Sequence, residues 1–154
     1  MKIGIVGAQE DKWSSEQKRI CETKIRQILS VSRDAILVSG HCPLGGIDIW
    51  SEQIADSLGI KKEIHPAPAK QWNDVHYFSE VEHKSLVLRG YRSRNIQIAE
   101  ASDILYVISP KCLQNCPKCM PGKLGATAGH VWNGGLWAGN FAEKLGKKVV
   151  RIAI

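Results

Sequence analysis

The chain has 154 residues and a mass of 17.0 kDa, the size of one ordinary domain. With 44% hydrophobic and 23% charged residues it is too apolar for a disordered chain, and five cysteines are too sparse for a disulfide scaffold. Twenty-one basic residues against fifteen acidic ones leave a net charge of +6, which suits anionic partners such as nucleotides or nucleic acid. The charge is spread out, with lysine pairs at Lys61-Lys62 and Lys147-Lys148 and no long basic block, so a solvated basic surface accounts for it equally well.

No apolar run approaches the length of about 18 residues that a membrane span needs. The N-terminus reads as a strand and has no small-residue cleavage site, so a cytoplasmic location is expected. Residues 2–7 form a short apolar run closed by Gly7, the pattern of a buried parallel strand. Ser14 with Gln17 allows a capping box, and Ile20, Ile25, Ile28, Leu29 and Val31 roughly keep helical spacing after it. Residues 35–39 read as a second strand, 47–58 as a helix stopped by Gly59, and 61–65 as a third strand. Residues 66–78 hold two prolines and read as a loop, followed by a helix over 81–101 with Gly90 as a candidate break. Residues 103–109 give a fourth strand, 110–125 a Cys-rich insertion, 127–145 a partly helical stretch and 147–152 a final strand. This alternation predicts one α/β domain over residues 1–154: a three-layer, Rossmann-like parallel sheet with helices on both faces. Ligands of such sheets bind at the carboxyl ends of the strands, so the loops after the strands carry the interest.

The loop from Ser39 to Asp48 follows a strand and opens a helix, and glycines there let backbone N–H groups approach a phosphate. Its spacing is neither a Walker loop nor a dinucleotide fingerprint, and a tight turn needing positive φ explains the glycines as well. Arg89, Arg92 and Asn95 stand three apart and would share a helix face, with Arg94 nearer the face of Gly90. An arginine fork of this kind can hold a phosphate; a solvated basic face is the plainer alternative.

Cys112, Cys116 and Cys119 have the spacing C-x3-C-x2-C, and three thiolates so close can grip a soft ion. Zinc is favoured over an iron–sulfur cluster, with His130, Cys42, His41 or a water as fourth ligand and His130 nearest in sequence. The same spacing occurs in radical-SAM proteins, whose motif lies in a much larger barrel. A closed zinc site would staple the insertion, whereas an open one could activate water. Trp13, Trp72, Trp132 and Trp137 fall in or near the ligand-side loops, where a tryptophan can stack a nucleobase. Trp132 and Trp137 are expected in the core.

Several short motifs, taken in order, resemble the SLOG superfamily, the Rossmann-like group that contains DprA and the LOG phosphoribohydrolases. They are Ile3-Gly-Ile-Val-Gly-Ala8, Val38-Ser-Gly40 followed by Gly46-Ile-Asp48, Arg94-Asn95 ahead of Ala99-Glu-Ala-Ser-Asp103, and Gly146-Lys-Lys-Val-Val150. They span nearly the whole chain and look closest to the small YspA-like members. The resemblance implies a site for a nucleotide or nucleotide derivative, with Gly7, Ala8, Gly40, Gly45, Gly46 and Asp48 in the pocket and Arg94 and Asn95 beside it. It also implies self-association into a homo-oligomer.

The chain departs from the LOG enzymes at two points. Their arginine-lysine pair is Arg94-Asn95 here, and His130 stands where their loop has a catalytic glutamate. Histidine cannot supply the negative charge that stabilises a cation-like transition state, so a hydrolase would need Glu80, Glu82 or Glu100 instead, with Glu100 the first to test. A nucleotide-binding protein is therefore the leading expectation. A LOG-type phosphoribohydrolase and a DprA-like nucleic-acid-binding protein, whose Ser-Gly-x-Ala-x-Gly-Ile-Asp motif is echoed at Ser39 to Asp48, are the alternatives.

Overall fold

The computed structural model describes residues 1–31, 33–111 and 134–154. Five parallel strands form one sheet in the order β3-β2-β1-β6-β7: β1 (Lys2–Gly7), β2 (Ile36–Ser39), β3 (Lys61–Ile64), β6 (Ile104–Ser109) and β7 (Lys148–Ala153). Among the described residues four α-helices pack on it: α1 (Ser15–Ser30), α2 (Ile47–Leu58), α3 (Tyr91–Ala101) and α4 (Gly134–Lys144). This is the expected Rossmann-like architecture.

Alternation along the strands builds two cores. Ile3, Ile5, Leu37 and Ile108 face Ile25 and Leu29 of α1 and Trp50 and Ile54 of α2. Their neighbours Val6, Val38, Leu105 and Val107 face Ile98 of α3 and Ala138 and Ala142 of α4. A period of two in the strands thus feeds both faces, and each fully buried isoleucine or leucine contributes about 2 kcal/mol of transfer free energy. Because both faces are covered, the central strands read as continuous apolar runs.

The helix ends follow the sequence closely. Ser14 Oγ accepts the Gln17 N–H and Gln17 Oε1 accepts the Ser14 N–H, a complete capping box. Gly59 closes α2 with a left-handed φ of 69°. Gly46 opens α2 with φ 89°, and the Ile47 N–H donates to the Ala8 carbonyl at 3.3 Å, tying the loop after β1 to the start of α2.

Two expectations fail between residues 66 and 90. Residues 75–78, read as loop, and 84–88, read as helix, instead pair as an antiparallel hairpin of β4 (Val75–Ser79) and β5 (Lys84–Leu88). Val75, Tyr77, Phe78 and Val87 supply the β-branched and aromatic residues of these two short strands. His83, with φ 50°, takes the left-handed conformation of the turn. Gly90 is then the N-cap of α3 rather than a break inside a longer helix.

The Cys-rich insertion with Cys112, Cys116, Cys119 and His130, and with it the zinc expectation, lies outside the described residues. Among the described residues no three metal-ligating side chains cluster, and no helix is long and apolar enough to cross a membrane.

Replacing Gly46 by alanine should cost at least about 3 kcal/mol, because φ is positive and the new Cβ meets the Ala8 carbonyl and lies 2.7 Å from Gln9 Cα. Gly59→Ala, with a positive φ but open space around it, should cost about 1 kcal/mol. Urea titration of the two variants checks the ranking.

Candidate functional site

The chain runs β1-β2-β3 outward in one direction and then returns to place β6 on the other side of β1. Loops therefore part at the carboxyl ends of β1 and β6, the switch point at which open α/β sheets leave a crevice. A cleft of about 330 Å³ opens there. Its floor is Val6 and Gly7 at the end of β1, and its rim carries Gln9, Lys12 and Leu44. Cys42 and Asp48 line it from the β2–α2 side, and Tyr91, Arg94 and Asn95 line it from α3. Trp72, Gly134 and Gly135 line it as well.

Two opposite charges are buried at this cleft. Asp48, in the first turn of α2, is 5% exposed, and Arg94 of α3 is 8% exposed. Arg94 Nη1 lies 3.9 Å from Asp48 Oδ2, an ion pair too long for a direct hydrogen bond. Among the described residues Nη1 has no hydrogen-bond partner. The rest of the guanidinium is held: Nε donates to Asn95 Oδ1 at 3.3 Å, and the group sits 5.0 Å from the Tyr91 ring centroid. Asn95 Nδ2 in turn donates to the Gly134 carbonyl at 3.2 Å, joining α3 to α4.

Gly40 makes this approach possible. A Cβ on it would lie 2.8 Å from Arg94 Cδ and 3.0 Å from Asp48 Oδ2, so any side chain there would part the pair.

Burial pushes the Asp48 carboxyl up to about 6, against the attraction of Arg94 and with repulsion from Glu52 adding to it. The Cys42 N–H donates to the carboxylate and partly offsets the shift. Burial also raises the Cys42 thiol, which the Arg94 guanidinium contacts. One turn along α2, Glu52 is 6% exposed and is held at both oxygens. The Ser39 hydroxyl donates to Oε1 at 2.7 Å, and His41 Nδ1 lies 2.6 Å from Oε2. His41 itself is exposed and has a left-handed φ of 50°.

The segment before the hairpin positions α3. Ala69 N–H donates to the Arg89 carbonyl, and Tyr91 and Arg92 N–H donate to the Gln71 and Trp72 carbonyls. Asp74 accepts from the Gly90 N–H and the Ser93 hydroxyl, which holds its carboxyl below the usual range. Trp72 thereby reaches the cleft, with its ring edge-on to Trp137 at 5.3 Å and Trp137 stacked on Phe141 at 5.4 Å.

The residues expected from the sequence fall into three groups. Gly7, Asp48, Arg94 and Asn95 line the cleft. Ala8, Gly40, Gly45 and Gly46 shape the backbone behind it: the Ala8 carbonyl accepts from Ile47 and from the Trp13 indole, and the Gly45 N–H donates to the Cys42 carbonyl. The expected arginine face does not form, because Arg89 precedes the helix and Arg92 is exposed over Trp137, while Arg94 is the buried one. Arg94 and Asn95 turn inward together with Ile98 and Ala99. The carboxylates considered for hydrolysis stand elsewhere. Glu80 and Glu82 are exposed at the hairpin turn, and Glu100 is exposed at the far end of α3, where Lys147 reaches its carbonyl. Asp48 is the carboxylate that lines the cleft among the described residues.

Sequence reasoning missed Gln9, Lys12, Tyr91 and the Ser39–Glu52–His41 chain of contacts. A signal for Glu52 was present: it stands four residues after Asp48 and next to the apolar positions 47, 50, 54 and 55, which places both acids toward the buried side of α2.

The sequence matches no family model and no curated protein. Among solved structures it is similar to the X-ray structure of DNA processing protein A (DprA) from Streptococcus pneumoniae, at 14% identity and a TM-score of 0.46. That match covers 98% of this chain and 58% of the other, so the chain spans little more than half the length of that protein. The sheet order and the cleft at its switch point define the protein as a Rossmann-like α/β domain.

The pH dependence of stability follows from Asp48. Its carboxyl binds a proton more tightly in the fold than in the unfolded chain, so the fold is favoured at low pH and loses that contribution as pH rises from about 4 to about 6. Asp48→Asn removes the buried ionisation and should stabilise the protein at pH 8 by on the order of 2 kcal/mol, with little effect at pH 4. Paired melts at the two pH values test this; equal differences at both would contradict it.

Proposed function

We propose that the cleft binds a nucleotide or nucleotide derivative. The observation that carries this reading is the buried Asp48–Arg94 pair, left 3.9 Å apart on the wall of a 330 Å³ cleft at the switch point. Buried charges cost several kcal/mol unless they are hydrogen-bonded, and a pair kept loose for folding alone would bring little in return. Ligand contacts give it a use. Around it stand the partners that a nucleotide needs: Lys12 at the rim for a phosphate, and the aromatic rings of Trp72 and Tyr91 for a base. The motif order shared with SLOG proteins supports the same reading. Binding could serve sensing or processing of the nucleotide.

The test is isothermal titration with adenosine 5′-monophosphate (AMP). Saturable binding is expected, weakened about tenfold or more in Arg94→Ala, as for the loss of a charged hydrogen-bonding partner. Trp72→Ala, at a half-buried position, provides a second variant and should weaken binding without unfolding the chain. Affinity for AMP should depend only weakly on salt. Tighter binding of a 20-nucleotide single strand, falling steeply with salt, would replace this reading with nucleic-acid binding.

A further inference from the structure

The N-terminus of α2 is not open to a phosphate. A helix N-terminus attracts negative charge, but α2 already carries its own: Asp48 sits in its first turn, is buried and accepts the Cys42 N–H. An anion brought to this end would meet a carboxylate rather than free N–H groups. The polar group that this wall of the cleft accepts must therefore be something else.

Its chemistry follows from the two side chains present. An ionised carboxylate accepts hydrogen bonds and donates none; a guanidinium donates and accepts none. Asp48 Oδ2 and Arg94 Nη1 are 3.9 Å apart, too far to satisfy each other. An oxygen at about 2.8 Å from each can bridge that gap. To serve both it must donate to Asp48 and accept from Arg94. A fully ionised phosphate has no proton to donate, and an ammonium cannot accept. A hydroxyl does both. Nη1 is screened from solvent, so the guanidinium must rotate slightly as the hydroxyl enters. Glu52 does not compete for it, because Ser39 and His41 occupy both of its oxygens.

We propose that Asp48, acting with Arg94, recognises the ribose hydroxyls of the bound nucleotide, so that the cleft selects ribonucleotides over 2′-deoxyribonucleotides. This inference rests on the nucleotide reading above and adds its sugar specificity and orientation. The ribose lies against α2 and α3. The phosphate points away from Asp48 toward the Lys12 side of the cleft. A site that hydrogen-bonds a hydroxyl rejects the analogue lacking it, because its own polar groups are then left buried and unpaired.

The experiment compares the affinities of AMP and 2′-deoxy-AMP, first for the parent protein and then for Asp48→Asn. The parent should prefer AMP by tenfold or more. In Asp48→Asn the affinity for AMP should fall and the preference should shrink to threefold or less, since the deoxynucleotide has little to lose. Equal binding of the two by the parent protein overturns the sugar assignment and leaves the nucleotide reading standing. A preference that survives intact in Asp48→Asn overturns the role of Asp48. No binding of either nucleotide by the parent protein removes both readings. The parent comparison needs no variant, so it decides the sugar assignment by itself.

Discussion

The site depends on holding one carboxylate and one guanidinium side by side out of water. Asp48 comes from α2 on one face of the sheet, and Arg94 comes from α3 on the other. They meet where the loops part, beyond the carboxyl ends of β1 and β6. Gly40 removes the side chain that would separate them, and Asn95 fixes Nε so that the guanidinium cannot swing away freely. The sheet order, the small residue after β2 and the tight start of α3 all act together at this point.

Burial also gives the two acids of α2 different characters. Both are less than one-tenth exposed and lie one turn apart. Glu52 is saturated with partners and so acts as structure, anchoring the loop that carries His41. Asp48 stands 3.9 Å from Arg94 Nη1, which has no hydrogen-bond partner among the described residues, and its proton is held more tightly than an ordinary aspartate's. The two acids thus share a helix and a depth of burial but differ in their partners and in how tightly each holds a proton.

Most of the fold was legible in the chain because the strands are buried on both faces. The sequence pattern of residues 2–7 and 47–58 has the bounds that the structure shows, and the spacing of Ser14 and Gln17 predicts the cap that forms. The hairpin was not legible as such. Its strands pair across a turn of four residues and gain little from burial, so no strong apolar period marks them, and Leu86-Val-Leu88 reads as helix when its partner strand is unknown. The site was legible in part. Asp48 and Arg94 could be named from a motif resemblance, but helical spacing alone favoured Arg89 and Arg92. Which of several arginines turns inward depends on where the helix starts, and that start is set by backbone bonds to residues 71 and 72, distant in sequence.

Those backbone bonds also bear on how the molecule can change. The bends at 69–72 and the start of α3 are clasped together, so the chain leaves at Asp74 and returns at Arg89 almost to its point of departure. The hairpin between them is a closed excursion: its strands contact each other far more than any other element. Lengthening or trimming its tip changes the cost of closing a loop only by the logarithm of its length, a few tenths of a kcal/mol for a handful of residues. The clasp isolates Trp72 and Arg94 from such changes. This part of the surface is therefore free to vary in length and composition while the cleft keeps its geometry, which makes it the natural place for an insertion or a tag.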